Sequence, residues 1–222
     1  MIKNPKNFIQ KIHNSSKRNY LNRMNLKKPI IMNEAKKYSK KYWDGSRSEG
    51  YGGYKYISGY WKGLAKKLIS FYRLKKNAKI LDIGCGKGFL LYEIHKLRPD
   101  LDITGVDISN YALKLAIGKD KIKYVRHKAQ NKFNYRNKYF DLVISIGTLH
   151  NLEIFDVKKS INEISRISKS SYIMVESYKN DLELFNLQCW ALTCESFFSK
   201  NEWEWIFKIL KFKGDFEFIY FK

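Results

Sequence analysis

Long apolar runs are missing from this sequence. The longest, about Leu142 to Ile146, falls far short of the ~20 residues that a helix needs to cross a bilayer. The N-terminal stretch lacks the continuous apolar segment of a secretion signal, and it is rich in Lys and Asn rather than in the Arg and Ser of a transit peptide. A cytoplasmic location is therefore expected. Cysteine is scarce as well: Cys85, Cys189 and Cys194 are odd in number and match no zinc ribbon or redox spacing. They read as reduced, packed thiols, and no metal site is expected.

Acidic residues are few, 21 against 43 Lys and Arg, which leaves a net charge of +22. Such an excess is one footprint of a nucleic-acid or anionic-membrane binder. Arginine supplies only 8 of those cations, however, and proteins that read phosphates and bases lean on its bidentate fork. A compositional bias toward Lys, in a chain also rich in Asn and Ile, is the competing account. An anionic small substrate is compatible with both.

What is present is one chain of 222 residues, long enough to bury a real core. No acidic residue precedes Glu34, whereas eight Lys or Arg do. Residues 1–32 thus form a basic leader with Phe8, Ile9 and Ile12 as a short apolar stripe, either a helical arm or a mobile tail. Tyr42-Trp43-Asp44-Gly45 and Gly50-Tyr51-Gly52-Gly53-Tyr54 follow, too glycine-rich for a helix interior. The division expected is 1–58 as leader and cap, and 59–222 as the main domain. Within the latter, Trp61, Leu64, Ala65, Leu68, Ile69 and Tyr72 recur at helical spacing.

Strands and helices then alternate. Strands are expected at Lys79–Ile83, Asp102–Val106, Ile122–His127, Phe140–Ile146 and Tyr172–Glu176. Helices are expected at Phe89–Leu97, from the Ser109 cap to about Ile117, and at Val157–Ile167. Leu187–Cys194 reads as a strand or as part of a substrate lid. Ser199 with Glu202 makes a capping box before a Trp203–Leu210 helix, and Phe216–Phe221 is a final strand. The pattern implies an α/β fold, a doubly wound and mostly parallel sheet with helices on both faces.

The chemistry concentrates in Asp82-Ile83-Gly84-Cys85-Gly86-Lys87-Gly88, which ends a strand and opens a helix. Doubly wound folds bind nucleotide-like ligands at that place, where a helix N-terminus can receive an anionic group. A dinucleotide loop requires a third glycine where this chain has Phe89, and pyrophosphate would face the charge of Asp82. The phosphate-cradling pattern ending in Gly-Lys-Ser/Thr is absent too. A ligand with an ammonium and a carboxylate but no phosphate fits better, and S-adenosylmethionine is one. Asp107, with Ile108 after it, ends the next strand, where an acid can accept ribose hydroxyls. Ala129 and Gln130 follow the third strand, where the adenine edge should lie, and Ser145 ends the strand that leads to the reaction centre.

This order and spacing resemble the class I S-adenosylmethionine-dependent methyltransferases over about residues 60–180. The resemblance implies a Rossmann-like sheet of seven (or six) strands, with S-adenosylmethionine held at Asp82, Gly84, Cys85, Gly86, Gly88, Asp107, Ile108, Ala129, Gln130 and Ser145 and released as S-adenosylhomocysteine. Two features depart from it: Gln130 stands where an acid is common, and Ser168-Lys169-Ser170-Ser171 replaces a Pro-Gly-Gly turn. The leader and the Gly/Tyr segment are also similar to methyltransferases of surface-polysaccharide and sugar pathways.

Methyl transfer is an in-line displacement, so alignment and water exclusion are the main tasks, and a hydroxyl acceptor benefits from a general base. His150 is the first candidate base, with Glu176 and Tyr178 next. Trp43, Tyr51, Tyr54 and Trp190, with Tyr42, are candidates to roof the pocket and stack on the acceptor or on adenine. The expected acceptor is small and polar, such as a sugar or nucleotide-linked sugar methylated at oxygen. An RNA methyltransferase using the basic surface is the alternative, and a non-catalytic protein on the same fold is the second. After Ser145 the Asn/Asp-Pro-Pro-aromatic motif of many nucleobase amino methyltransferases is absent. Oligomeric state is left open.

Overall fold

The computed structural model describes residues 3–15, 18–24 and 27–222. The parts of the expected leader at residues 1–2, 16–17 and 25–26 lie outside the described residues. Among the described residues, six strands form one sheet: β1 (Lys79–Ile83), β2 (Asp102–Asp107), β3 (Lys123–Arg126), β4 (Phe140–Ile146), β5 (Ser168–Glu176) and β6 (Asp215–Ile219). Their order is β3-β2-β1-β4-β5-β6, and every pairing is parallel. Of the two strand counts expected, six is the one formed.

Helices cover both faces. Ile80 of β1, Leu142 and Ile144 of β4, and Tyr172 and Met174 of β5 pack toward α4 (Lys62–Phe71) and α5 (Phe89–Leu97). The alternate residues Leu81, Ile83, Val143, Ile173 and Val175 pack toward α7 (Ile154–Ile167) and α9 (Lys200–Ile209). Strands buried on both sides carry near-continuous apolar sequence, which is why β1, β4 and β5 are legible as such. Val157, Ile161, Ile164 and Ile167 are all but fully buried on α7, each contributing on the order of 1.5–3 kcal/mol by leaving water.

Several boundaries differ from the expected ones, four of them for identifiable reasons. Helix α6 (Asn110–Lys114) has the expected Ser109 cap but stops before Ile117, whose N–H is taken by the Lys87 carbonyl at 3.2 Å. Ser168-Lys169-Ser170-Ser171 is no turn. The Ser168 hydroxyl closes α7 by donating to the Ile164 carbonyl, and the four residues then pair along β4 from Phe140 to Val143. Leu187–Cys194 is not a strand, because α8 (Asp181–Trp190) runs into it from a cap in which Asn180 accepts from the Glu183 N–H at 3.0 Å. The last strand ends at Ile219 rather than Phe221, whose carbonyl accepts from the Asn186 side chain.

The leader is a packed part of this body. Its short helix α1 (Gln10–Asn14) presents its first N–H groups to a buried carboxylate: Glu217 on β6 accepts from Phe8, Ile9 and Gln10 at 2.6–3.1 Å and from the Tyr172 hydroxyl at 2.6 Å. Phe8 stacks on Tyr172, and Ile9 enters the core. Two further short helices, α2 (Lys28–Ala35) and α3 (Lys40–Asp44), carry the chain across the C-terminal ends of the strands. Lys28 Nζ donates to the Cys189 carbonyl at the end of α8.

Candidate active site

Between β1 and β4 the sheet reverses its winding, and the loops leaving these two strands diverge. That divergence opens the crevice in which doubly wound folds place ligands. A cavity of about 780 Å³ occupies it, lined by Gly84, Cys85, Gly86, Asp107, Ile108, Ala129, Gln130, His150 and Glu176 and roofed by the leader. Its size lies within the ~300–1,000 Å³ range of small-molecule sites.

The glycine loop is held from both sides. Gly86 has φ +56, and its N–H donates to Asp107 Oδ2 at 2.8 Å, while Asp107 Oδ1 accepts from the Ser109 N–H at 2.8 Å. A Cβ at Gly86 would approach the Trp43 ring to 2.9 Å, so the close aromatic cover demands glycine there. Gly88, with φ +74, caps α5. Beneath the loop Asp82 is 5% exposed, and its Oδ1 has no hydrogen-bond partner. Burial, and then the neighbouring Asp107, raise its carboxyl to about 8. Asp107 is itself raised by burial. Among the described residues neither acid has a cation partner, so a ligand ammonium, which stabilises their ionised forms, suits the site better than a phosphate. The Cys85 thiol is free and is pushed well above its usual range by burial, which makes it a packing group rather than a nucleophile.

The roof comes from the segment after α2. Trp43 stacks on Tyr51 with centroids 5.3 Å apart, Tyr51 meets Tyr54 at 4.7 Å, and Tyr54 stacks on Phe89 at the start of α5 at 4.8 Å. Trp43 Nε1 donates to Ser109 Oγ at 2.9 Å. Asp44 bridges Lys87 of the glycine loop at 2.7 Å and accepts from the Tyr111 hydroxyl at 2.9 Å. Lys87 also donates to the Tyr54 carbonyl at 2.8 Å. The leader and the loop are thus locked together by a half-buried ion pair. Sequence reasoning missed that pair, although an Asp beside the Tyr-Trp pair and a Lys inside a glycine motif were both visible.

On the opposite wall, His150 is 3% exposed. Its Nδ1 accepts from the Glu176 N–H at 3.2 Å, and its Nε2 lies 3.4 Å from Glu176 Oε2. Burial lowers the imidazole's pKa, opposed by the charge of Glu176. Because Nδ1 accepts from a backbone N–H, the proton of a neutral ring belongs on Nε2, facing the carboxylate. Gln130 Nε2 donates to Asp156 Oδ2 at 3.0 Å. Ser145 is wholly buried and donates to the Ile83 carbonyl, bracing β1 against β4 rather than lining the cavity. Tyr178 is not among the lining residues either, and its backbone pairs with Ser199 and Lys200 instead. Trp190 lines the far end.

A family model described as a methyltransferase domain matches residues 74–214, well over half of the chain. The chain belongs to this methyltransferase-domain family. Class I homologues of this kind use S-adenosylmethionine. The small-subunit ribosomal RNA methyltransferase C of Buchnera aphidicola is 35% identical over 113 residues, covering 46% of this chain and 30% of that protein. A protein-lysine N-methyltransferase of Saccharomyces cerevisiae is 27% identical over 96 residues, covering 40% and 42% respectively. The chain therefore spans less than half the length of these curated relatives. Among solved structures, the YcgJ protein of Bacillus subtilis superposes with a TM-score of 0.53 at 17% identity over 66% of each chain. A chain of the Haloferax volcanii complex between the Trm112 methyltransferase activator and a methyltransferase gives 0.55 at 18% identity, again over 66% of each chain. Both likenesses concern the fold. In this methyltransferase domain the residues present suit the family's methyl donor: an orphaned buried carboxyl oxygen for an ammonium, a second acid at the end of β2, and a loop that takes no side chain at Gly86. Among the described residues no helix is long and apolar enough to cross a membrane.

Proposed function

We propose that this protein transfers a methyl group from S-adenosylmethionine to a hydroxyl of a small polar acceptor, a sugar or nucleotide-linked sugar in the first instance. The reading rests above all on the buried acid pair Asp82 and Asp107 framing a glycine loop that has no phosphate-binding ending. When bound, S-adenosylmethionine supplies an already activated methyl group. Asp82 favours a ligand ammonium, the α5 N-terminus with Gly84, Cys85, Gly86 and Gly88 favours a carboxylate, and Asp107 accepts from ribose hydroxyls. Ile108 and Ala129 offer apolar contact to a base, with Gln130 at its edge. Trp43, Tyr51 and Tyr54 shut out water and orient the acceptor.

Glu176 is the proton acceptor in this reading, and His150 is the residue that positions it. The imidazole has both nitrogens engaged, whereas the Glu176 side chain is 19% exposed and faces the cavity. The domain boundary near residue 58 is proposed in the same sense: the leader and Gly/Tyr segment cap a catalytic body at 59–222. Methylation of RNA is the second reading, carried by the ribosomal RNA relative and the +22 charge.

Calorimetry with S-adenosylmethionine, NAD and ATP, followed by radiolabelled methyl transfer into fractionated sugars, small metabolites and RNA, tests the proposal. Binding of the first ligand alone and label in the small-molecule fraction are expected. Failure to bind S-adenosylmethionine would overturn the reading, and label only in RNA would select the second.

A further inference from the structure

We infer that the acceptor carries an anionic group, a phosphate or a carboxylate, which Arg23 and Arg47 receive at the Trp190 end of the cavity. The inference rests on the methyltransferase reading and narrows its acceptor.

Arginine is rare in this chain, 8 of 43 cations, yet Arg18, Arg23 and Arg47 all line this one cavity. Their guanidinium carbons lie 5.5, 4.3 and 4.9 Å from the Trp190 ring centroid. The residues come from separate places: Arg23 from the turn Leu21–Arg23, Arg47 from the loop after α3, and Trp190 from the last residue of α8. A compositional excess of lysine does not produce such a convergence of arginines.

Arg23 is only 9% exposed. It donates to the Gly50 carbonyl at 2.9 Å, but its buried Nε has no hydrogen-bond partner. Arg47 is exposed and donates to the Tyr51 carbonyl at 2.7 Å. Among the described residues, neither makes an ion pair with a carboxylate. Burial first, and then the charge of Arg47, lower Arg23 to about 10, so it remains cationic at neutral pH beside a like charge. Burying a cation next to another is costly unless an anion completes the set. A planar guanidinium with free N–H groups suits a phosphate or carboxylate. Glu176 is the acid whose charge reaches both Arg18 and Arg23, which puts the cluster in the same chamber as the proposed proton acceptor. An anion held there leaves the acceptor's hydroxyl within that chamber.

Calorimetry on the full chain saturated with S-adenosylhomocysteine tests this, using inorganic phosphate, malonate and neutral glucose as probes. One of the two anions should bind with 1:1 stoichiometry, and which one does identifies the group as phosphoryl or carboxyl. Arg47→Gln, at an exposed position, should weaken that binding at least tenfold while changing S-adenosylhomocysteine affinity less than twofold. Arg23→Lys, which keeps the charge but loses the fork, should weaken it as well. The inference is overturned if neither anion binds, if Arg47→Gln leaves anion binding unchanged, or if a single-stranded oligoribonucleotide displaces the anion at lower concentration. Loss of S-adenosylhomocysteine binding in Arg47→Gln would reassign the arginines to the cofactor's own carboxylate and overturn it too. Failure of the unmodified chain to bind S-adenosylhomocysteine would bring down the methyltransferase reading itself.

Discussion

A pH titration of S-adenosylhomocysteine affinity interrogates Asp82 directly. Burial, then Asp107, hold this carboxyl near 8 instead of the ordinary 3.8. The other titratable neighbours it influences, Cys85 on the loop, Tyr54 on the roof and Tyr124 on β3, are neutral thiols and phenols that bring no positive charge. Below pH 8 the ligand-free site therefore holds a proton, which must leave before Asp82 can pair with a ligand ammonium. The Kd should fall by up to tenfold per pH unit from pH 6 to 8. Above roughly pH 8 an amino group begins to lose its own proton, so affinity should peak there. Stability follows the opposite course. Between about pH 4 and pH 8 the native state keeps a proton that the unfolded state has released, so stability drops as pH rises through that window. The gap from 3.8 to about 8, at ~1.4 kcal/mol per unit, amounts to at most on the order of 5 kcal/mol at pH 8. Asp82→Asn removes that cost. It should melt higher than the unmodified protein at pH 8 and bind S-adenosylhomocysteine weakly, without the tenfold-per-unit gain in affinity between pH 6 and 8. Calorimetry and thermal melts from pH 5 to 9 provide both readouts. An affinity that stays level, or improves toward acid, in the unmodified protein would refute the ammonium assignment.

Three further outcomes are expected. Asp107→Ala frees the Gly86 and Ser109 amides from their acceptor and should weaken S-adenosylhomocysteine binding at least tenfold by calorimetry; unchanged affinity would remove the ribose assignment. Tyr51→Ala opens the roof beside Trp43 and Tyr54 and should weaken S-adenosylhomocysteine binding by calorimetry while lowering the melting temperature little, since Tyr51 is 42% exposed; unchanged affinity would remove the roof from the cofactor's side of the cavity. Glu217→Gln weakens the charge-assisted bonds from Phe8, Ile9 and Gln10, each worth about 1.5–3 kcal/mol. It should speed tryptic cleavage within the leader while the sheet melts later, and equal cleavage rates would show that the leader is anchored elsewhere.

Local chemistry explains what was legible. The boundaries of β1, β4 and α5 can be read directly because their neighbours in sequence, alternating apolar residues or a glycine cap, decide them. The Ser199–Glu202 capping box is likewise a contact three residues apart. What escaped depends on partners far along the chain. Ile117 leaves α6 because the Lys87 carbonyl, thirty positions earlier, takes its N–H. Ser168 begins a strand because β4 lies open beside it. The site divides along the same line. Asp82, Asp107 and the three glycines follow from strand–turn–helix order. His150 was legible as a candidate base, but its contacts with Glu176, the backbone N–H on Nδ1 and the carboxylate 3.4 Å from Nε2, were not; the proposal that Glu176 accepts the proton rests on them. The charge shows the distinction most sharply. A count of 35 Lys and 8 Arg argues for compositional bias when residues are weighed one by one. Three of those few arginines nonetheless meet around a single tryptophan. They do so because Glu217, Lys28 and the Asp44–Lys87 pair fasten the leader across the mouth of the crevice, so the positive charge of the cavity comes from the leader's docking more than from its composition.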